Sequence, residues 1–511
     1  MPVTVGDVLT IDDVVAVARG EGVELSSRAR ERIAAARRVV EDNLTSREIV
    51  YGVTTGFGSL ANVHLEPEDA QTLQHSLLRS HAVAVGDPLS EWETRAMLLL
   101  RAHVLALGHS GVRPEVVDRL VQFLNESVLP VVPQQGSLGA SGDLAPLAHL
   151  ALPLVGEGEV SFEGEHISGA MALERMGLEP LTLEAKEGLA LINGTQGMLA
   201  VGVLAADRAR HLAKAADVAG AMTVEAILGT DVAFDERIMR LRPHPGQAVS
   251  AANLRRLLAG SAIVASHHEG SHLVQDAYSI RCAPQVHGAF RDTLDHAVGV
   301  LETEMSSVSD NPLILPDDGL VISGGNFHGQ PVAVALDALA LATVGLASIC
   351  ERRLYRVLDA SRNNGLPAFL VERSGVNSGF MIVQYTAASL VSESKSLAHP
   401  ASVDSITSSA GQEDHVSMGM IAARHVREIV TNAETVVALE ALAAAQALDL
   451  RERLTGAAPA EGTAAARAAV REVVPPLDDD RGLKPDVDAA IELVACGDLV
   501  RAVEAVLGPL E

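Results

Sequence analysis

Residues 332–350 read VAVALDALALATVGLASIC, and the reading of this run decides the fold. As a helix it would span about 29 Å, close to the thickness of a bilayer core. Asp337 interrupts it, much of it is small alanine, and no second run of this kind occurs. We therefore read it as a buried helix of a large bundle. The rest of the chain agrees. Apolar residues make up 48% of 511 and aromatics only 3%, so Ala, Leu and Val carry the core. That mix favours packed helices over a β-sandwich. It also excludes global disorder, and the length allows roughly three domains.

Other helices announce themselves. Ser90-Glu91-Trp92-Glu93 is a capping box, followed by an apolar run from Ala96 to Leu107 and a stop at Gly108. Thr10-Ile11-Asp12-Asp13 opens a helix in the same way, with Asp in place of Glu. Val426 to Leu450 reads as a long bundle helix. Strand signals are few: one hairpin around Val160 and Phe162, another from Leu313–Leu315 and Leu320–Ile322 across Pro316-Asp317-Asp318-Gly319. Gly456 to Ala469, and Pro475 to Asp480, read as surface connections. The expectation is a mainly α protein with a few short β-hairpins. A boundary near residue 200 would separate an N-terminal domain, 1–200, from a long-helix bundle domain, 201–511.

Charge and cysteine usage narrow the function. Thirty-nine Lys plus Arg against 66 Asp plus Glu leave a net charge of −27. That balance argues against a nucleic-acid partner, which needs a basic footprint. Cys282, Cys350 and Cys496 make neither a disulfide framework nor a zinc spacing, so a cytoplasmic location is expected. The opening MPVTVGDVLTIDDVV lacks the basic and apolar regions of a signal peptide. No membrane partner is expected.

Glycines and polar residues cluster in two places. Tyr51-Gly52-Val53-Thr54-Thr55-Gly56-Phe57-Gly58 lacks the lysine of a phosphate-binding loop and reads as a turn, or as an active-site loop carrying a tyrosine. Gly136-Ser137-Leu138-Gly139-Ala140-Ser141-Gly142-Asp143 can be a helix entry with Ser141 or Asp143 as cap. It also carries a chemical option. The Gly142 nitrogen can attack the Ala140 carbonyl carbon, because glycine has no Cβ in the way. Loss of one water closes a five-membered imidazolone, and loss of the Ser141 hydroxyl as a second water leaves an exocyclic methylene. The product is 4-methylideneimidazole-5-one, an electrophile that no ordinary side chain supplies.

The stretch GSLGASGDLAPLAHLAL resembles the signature of the aromatic amino acid ammonia-lyases, in their histidine-specific form. YGVTTGFGSL, LLRSHAVAVGDPLS, KEGLALINGTQGM, VQDAYSIRCAPQVHGA, SDNPLI, ISGGNFHGQPVA, NSGFMIVQYTAASLVSE and AHPASVDSITSSAGQEDHVSMG resemble further family blocks, in the same order. The resemblance implies a fumarase/aspartase-like helical bundle that assembles as a homotetramer. It implies a small-molecule substrate, L-histidine, converted to trans-urocanate and ammonia as the first step of histidine degradation. The electrophile, formed from Ala140, Ser141 and Gly142, is the implied cofactor, with no external one. Bonded to the substrate amine, it makes a poor leaving group a better one.

The same resemblance implies roles for side chains. Tyr51 is the implied base for the β-proton, with Tyr278 as the second candidate. Arg281 would clamp the substrate carboxylate with paired hydrogen bonds. Asn193 would hydrogen-bond the substrate or the carbonyl oxygen of the electrophile. Gln275 and Phe327 would line the pocket. His81, followed by small Ala82, and Glu413 would meet the two edges of the imidazole, one of which donates and one accepts. Two departures from some histidine lyases are Ala277 in place of proline and Gly329-Gln330 in place of Ala-Glu.

Two alternatives stand beside this reading. One is a tyrosine or phenylalanine ammonia-lyase, or a 2,3-aminomutase, with the same electrophile. The other is a non-catalytic helical scaffold. His268-Glu269-Gly270-Ser271-His272 spells the zinc-protease string H-E-x-x-H, but Gly270 weakens a helix there and no metal is expected.

Overall fold

A computed structural model describes residues 2–46, 70–267 and 274–511. Helices dominate the element order, with short strands between them. The longest are Gln196–Ala226, Ala283–Met305, Gln330–Leu358 and Gly419–Thr455. The last absorbs the expected bundle helix and extends it at both ends.

The apolar run that opened the reading lies in Gln330–Leu358. Among the described residues it is the one helix long and apolar enough to cross a membrane, and 61% of its apolar window is buried inside the protein. Asp337 is buried too. Its carboxylate accepts from Ala401 N at 3.2 Å and Ser402 N at 2.8 Å, so the charge in the apolar run anchors a neighbouring turn.

Both capping boxes form. Thr10 caps Ile11–Ala18 with Asp13 returning the bond, and Ser90 caps Glu91–Ala106 with Glu93. Both hairpins form as well: Glu159–Phe162 with Glu165–Ser168, and Leu313–Leu315 with Leu320–Ile322. The first gains a third strand, Leu129–Pro130. Two pairings had no sequence signal: Val3–Val5 parallel to Val23–Leu25, and Val85–Pro88 antiparallel to Pro133–Gln135.

The stretch from Gly456 to Ala469 is a correction. Glu461–Val473 is a helix, not a surface connection. A Cβ on Gly462 would lie 2.7 Å from Leu507 Cδ1, so this glycine serves close helix packing rather than a turn. Pro475 to Asp480 is a connection, and Asp480 accepts from Ser378 N at 2.7 Å and Gly379 N at 2.8 Å.

The chain divides into two compact units, each discontinuous. The first comprises residues 1–207, 297–337 and 400–424; the second 208–296, 338–399 and 425–511. The first cut falls near the expected boundary, and the later segments alternate between the units.

Candidate active site

Ala140-Ser141-Gly142 lies in the first unit, immediately before Asp143 and the helix Leu144–Ala151. Gly142 has φ +71°, and a Cβ there would stand 2.0 Å from the Gly194 carbonyl oxygen. The two glycines form a parallel backbone bridge, and Asp143 N donates to Gly194 O at 2.7 Å. Gly139, at φ +66°, is pressed from the other direction: a Cβ would stand 2.1 Å from Ser417 Oγ, which donates to Gly139 O at 3.1 Å. The tripeptide is thus gripped on both flanks in a backbone conformation that needs glycine.

Asp143 does not cap the following helix with its side chain. Its carboxylate accepts from Ser137 Oγ and Met198 N, each at 2.7 Å. Burial pushes the carboxyl up to about 6, against the opposing hydrogen bonds from Met198, Ser137 and Gly197. The Met198 side chain fills the space over Gly329 and Gly419: Cβ atoms there would meet its sulfur at 2.5 and 2.3 Å. This accounts for the glycine at 329.

Asn193 precedes Gly194 and is buried. Its Nδ2 donates to Asn311 O at 2.9 Å and Asp310 Oδ1 at 3.3 Å. Its Oδ1 is buried and finds no partner among the described residues. Asp310 is itself fully buried and paired with fully buried Lys186 at 2.7 Å. Burial lowers the Lys186 pKa, while Asp310 opposes the shift. Arg101, also fully buried, donates to Asn193 O at 3.2 Å, to Gln196 Oε1 at 2.6 Å and to Ala190 O. Burial brings Arg101 down to about 10. Thr195 Oγ1 donates to Glu304 Oε1 at 2.5 Å, and burial raises the Glu304 carboxyl.

His81 closes the helix Ala70–His81. Its Nδ1 lies 2.9 Å from Leu77 O. A carbonyl only accepts, so in the neutral ring Nδ1 carries the proton and Nε2 is an acceptor. Burial lowers the His81 pKa, with the Leu77 bond and the charge of Glu413 pulling the other way. Glu413 accepts from Ser408 Oγ at 2.7 Å. The turn between them holds Ser409 and Ala410 at φ 49° and 54°, a strained arrangement for residues with a Cβ. Phe327 is half-buried, and the neighbouring His328 ring stacks on His415 at 5.8 Å.

Gln275, Tyr278 and Arg281 belong to the second unit. Gln275 is exposed. Tyr278 is 71% exposed, and the Arg281 guanidinium sits over its ring at 4.5 Å. Arg281 Nε is buried without a partner among the described residues. Tyr51 and the loop 51–58 lie outside the described residues, as do His268 to His272. Among the described residues no cluster of three or more His, Cys, Asp or Glu could hold a metal ion.

Within the first unit the structure joins the Ala140–Gly142 turn to Asn193 through Gly194, and sets the charge of Glu413 within reach of His81. Arg101, Lys186 and Asp310 were not singled out from sequence. Lys186 and Asp310 stand inside KEGLALINGTQGM and SDNPLI, next to Glu187 and between Ser309 and Asn311, where nothing local signals burial.

Residues 9–472 match the family model described as aromatic amino acid lyase. Histidine ammonia-lyase of Symbiobacterium thermophilum is 57% identical over 512 residues, spanning 100% of this chain and 99% of that protein. The crystal structure of histidine ammonia-lyase from Trypanosoma cruzi is 43% identical at a TM-score of 0.91, covering 100% of this chain and 96% of that one. Tyrosine aminomutase from Streptomyces globisporus is 39% identical at a TM-score of 0.94, with 99% of each chain covered. The chain belongs to the aromatic amino acid lyase family.

Proposed function

We propose that this protein is a carbon–nitrogen lyase that eliminates ammonia from L-histidine to give trans-urocanate. The observation that carries the reading is the Gly142–Gly194 contact. It clamps Ala140-Ser141-Gly142 where no Cβ fits, which suits ring closure by the Gly142 nitrogen. The resulting 4-methylideneimidazole-5-one would supply the electrophile for the substrate amine. Full-length similarity to a histidine ammonia-lyase at 57% identity supports histidine as the substrate over tyrosine.

The chain's own residues do the rest. His81 presents Nε2 as an acceptor for a ring N–H, because its Nδ1–H is engaged by Leu77. The Glu413 carboxylate faces the other edge of the imidazole. Arg281 pairs with the substrate carboxylate in a planar, two-bond geometry. Tyr51 takes the β-proton onto its phenolate oxygen, which nearby positive charge must help to ionise near neutral pH; Tyr278 is the second candidate. Gln275 and Phe327 line the space around the ring. Residues 1–200 carry the electrophile and 201–511 the long-helix bundle. The protein works in the cytoplasm as a homotetramer whose sites draw residues from more than one copy. The exposure of Tyr278 in a single chain supports that assembly.

The test is ultraviolet spectroscopy of the purified protein with L-histidine, L-tyrosine or L-phenylalanine, beside a Ser141→Ala control. Urocanate growth from histidine alone, absent in the control, is the expected result. Coumarate or cinnamate would keep the chemistry and overturn the roles of His81 and Glu413. An intact mass equal to the encoded one in active protein would end the electrophile reading, since cyclisation removes two waters.

A further inference from the structure

A carboxamide has a donor end and an acceptor end, and its surroundings decide which faces where. At Asn193 two acceptors settle the matter. Asn311 O and Asp310 Oδ1 both face Nδ2, at 2.9 and 3.3 Å. The flipped amide would set Oδ1 against both of them with no proton between. Lys186 Nζ donates to Asp310 Oδ2 at 2.7 Å, while Asn311 N donates to Oδ1 at 2.6 Å. Arg101 fixes the backbone of the same residue through Asn193 O. Both hydrogens of the amide are therefore engaged, and among the described residues its unpartnered buried atom is the acceptor Oδ1.

A buried acceptor without a partner is costly unless a ligand completes it. The substrate offers two kinds of donor, its ring N–H and the N–H groups of its α-amine; the ring N–H is the one assigned above to His81 Nε2, which leaves the amine for Asn193. We infer that Lys186 and Asp310 are positioning residues that hold Asn193 with Oδ1 turned to receive the amine. The inference rests on the reading above that this site takes an α-amino acid. It replaces the idea of Asn193 as a donor to the electrophile's carbonyl with a role in seating the group that leaves.

Asp310→Asn loosens the hold on Asn193. An amide at 310 that gives its oxygen to Lys186 turns an N–H toward Asn193 Nδ2, while Asn311 O still accepts from that same nitrogen, so the Asn193 amide is pushed off the pose that aims Oδ1 at the substrate. The measurement is calorimetric binding in a Ser141→Ala background, where the electrophile cannot form and bound ligand does not react. L-Histidine is compared with 3-(imidazol-4-yl)propanoate, which differs only in lacking the amine. Asp310→Asn is expected to weaken L-histidine by about ten- to a hundredfold, the range for a hydrogen bond to a charged group, and the des-amino acid by less than about threefold.

Equal weakening of both ligands would make Asp310 a merely structural residue and overturn the inference, as would no weakening of either. Lys186→Met with Asp310→Asn removes both members of the buried pair, and covers the case in which the single variant does not fold. It is expected to show the same selective loss. If the Ser141→Ala protein binds tyrosine or phenylalanine in place of histidine, the substrate reading fails. The positioning inference is then decided on that amino acid and its own des-amino partner. Failure to bind any of the three would remove both.

Discussion

Each unit carries a buried polar cluster, and the two are finished differently. In the second unit the Asp217 carboxylate accepts four bonds: from Ser250 and His287 at 2.7 Å, Asn253 at 3.0 Å and Arg291 at 2.7 Å. Burial would raise its pKa, but Arg291, His287 and Asn253 hold it well below the usual carboxylate range. His287 also meets Arg353 at 3.1 Å, and Arg353 is doubly bonded to Glu440 at 2.6 and 2.9 Å. The first unit builds Lys186, Asp310, Arg101 and Asn193 with equal care, and then leaves Asn193 Oδ1 open. Among the described residues each cluster leaves one guanidinium donor open, Arg291 Nε in the second unit and Arg101 Nε in the first, but of the two only the first leaves an acceptor open. A cluster without an open acceptor holds helices together; one that also presents an acceptor is prepared for something that arrives later.

The contrast can be broken from either side. The largest effect is expected from Gly142→Ala, whose Cβ would fall 2.0 Å from Gly194 O. It should abolish urocanate formation and the mass loss of cyclisation, and lower stability by about 4 kcal/mol or more. A variant that matures normally would remove the clamp from the explanation. Arg353→Met leaves Glu440 buried and unpaired, at a cost of about 3–5 kcal/mol in urea unfolding. Turnover per folded molecule should hardly change; a fall in kcat at full folding would deny that the second cluster is only structural.

His103 shows that a polar group in the first unit need not serve the site. Its Nδ1 accepts from Gly6 N at 3.2 Å. Burial brings its pKa down to about 4, with Asp7 opposing and Arg32 assisting. The unfolded chain, with a pKa near 6.5, binds a proton that the folded chain refuses. Stability is therefore fully present above pH 6.5 and falls as the pH drops toward 4, by about 3 kcal/mol over that range. His103→Gln keeps an acceptor for Gly6 and should lack this share of the acid loss. Parallel losses in the two proteins would show that another group titrates. The smallest effect is expected from Asn253→Ala, which removes one of four bonds to Asp217 and one to Glu511 O. It should lower stability by about 1–2 kcal/mol and leave kcat unchanged, whereas Asn193→Ala should reduce kcat as well as stability.

Much of this was readable from residues alone, where the signal is local. The Ser90–Glu93 box, the Val332–Cys350 run and the turn at Pro316–Gly319 each contain their own explanation. Glu461–Val473 was missed because Gly462 looks like a breaker, and only Leu507 shows that it is a packing site. Val3–Val5 and Val23–Leu25 are too short for period-two patterning to show. In the site, Ala140-Ser141-Gly142 and Asn193 stood out by motif. Lys186 and Asp310 did not, because the meaning of a buried charge lies in a partner 124 positions away.

The grip on the 139–142 turn also sets a timetable for the nascent chain. Gly142 is held by Gly194, and Gly139 by Ser417, which follows it by 278 positions. A ribosome that has just released residues 136–143 has made neither jaw of the vice. On the chemistry proposed here, the electrophile can appear only after some four-fifths of the chain has been synthesised and folded onto itself. The reactive group is born inside a finished enclosure, and an incomplete or misfolded chain stays chemically harmless to the cell that makes it.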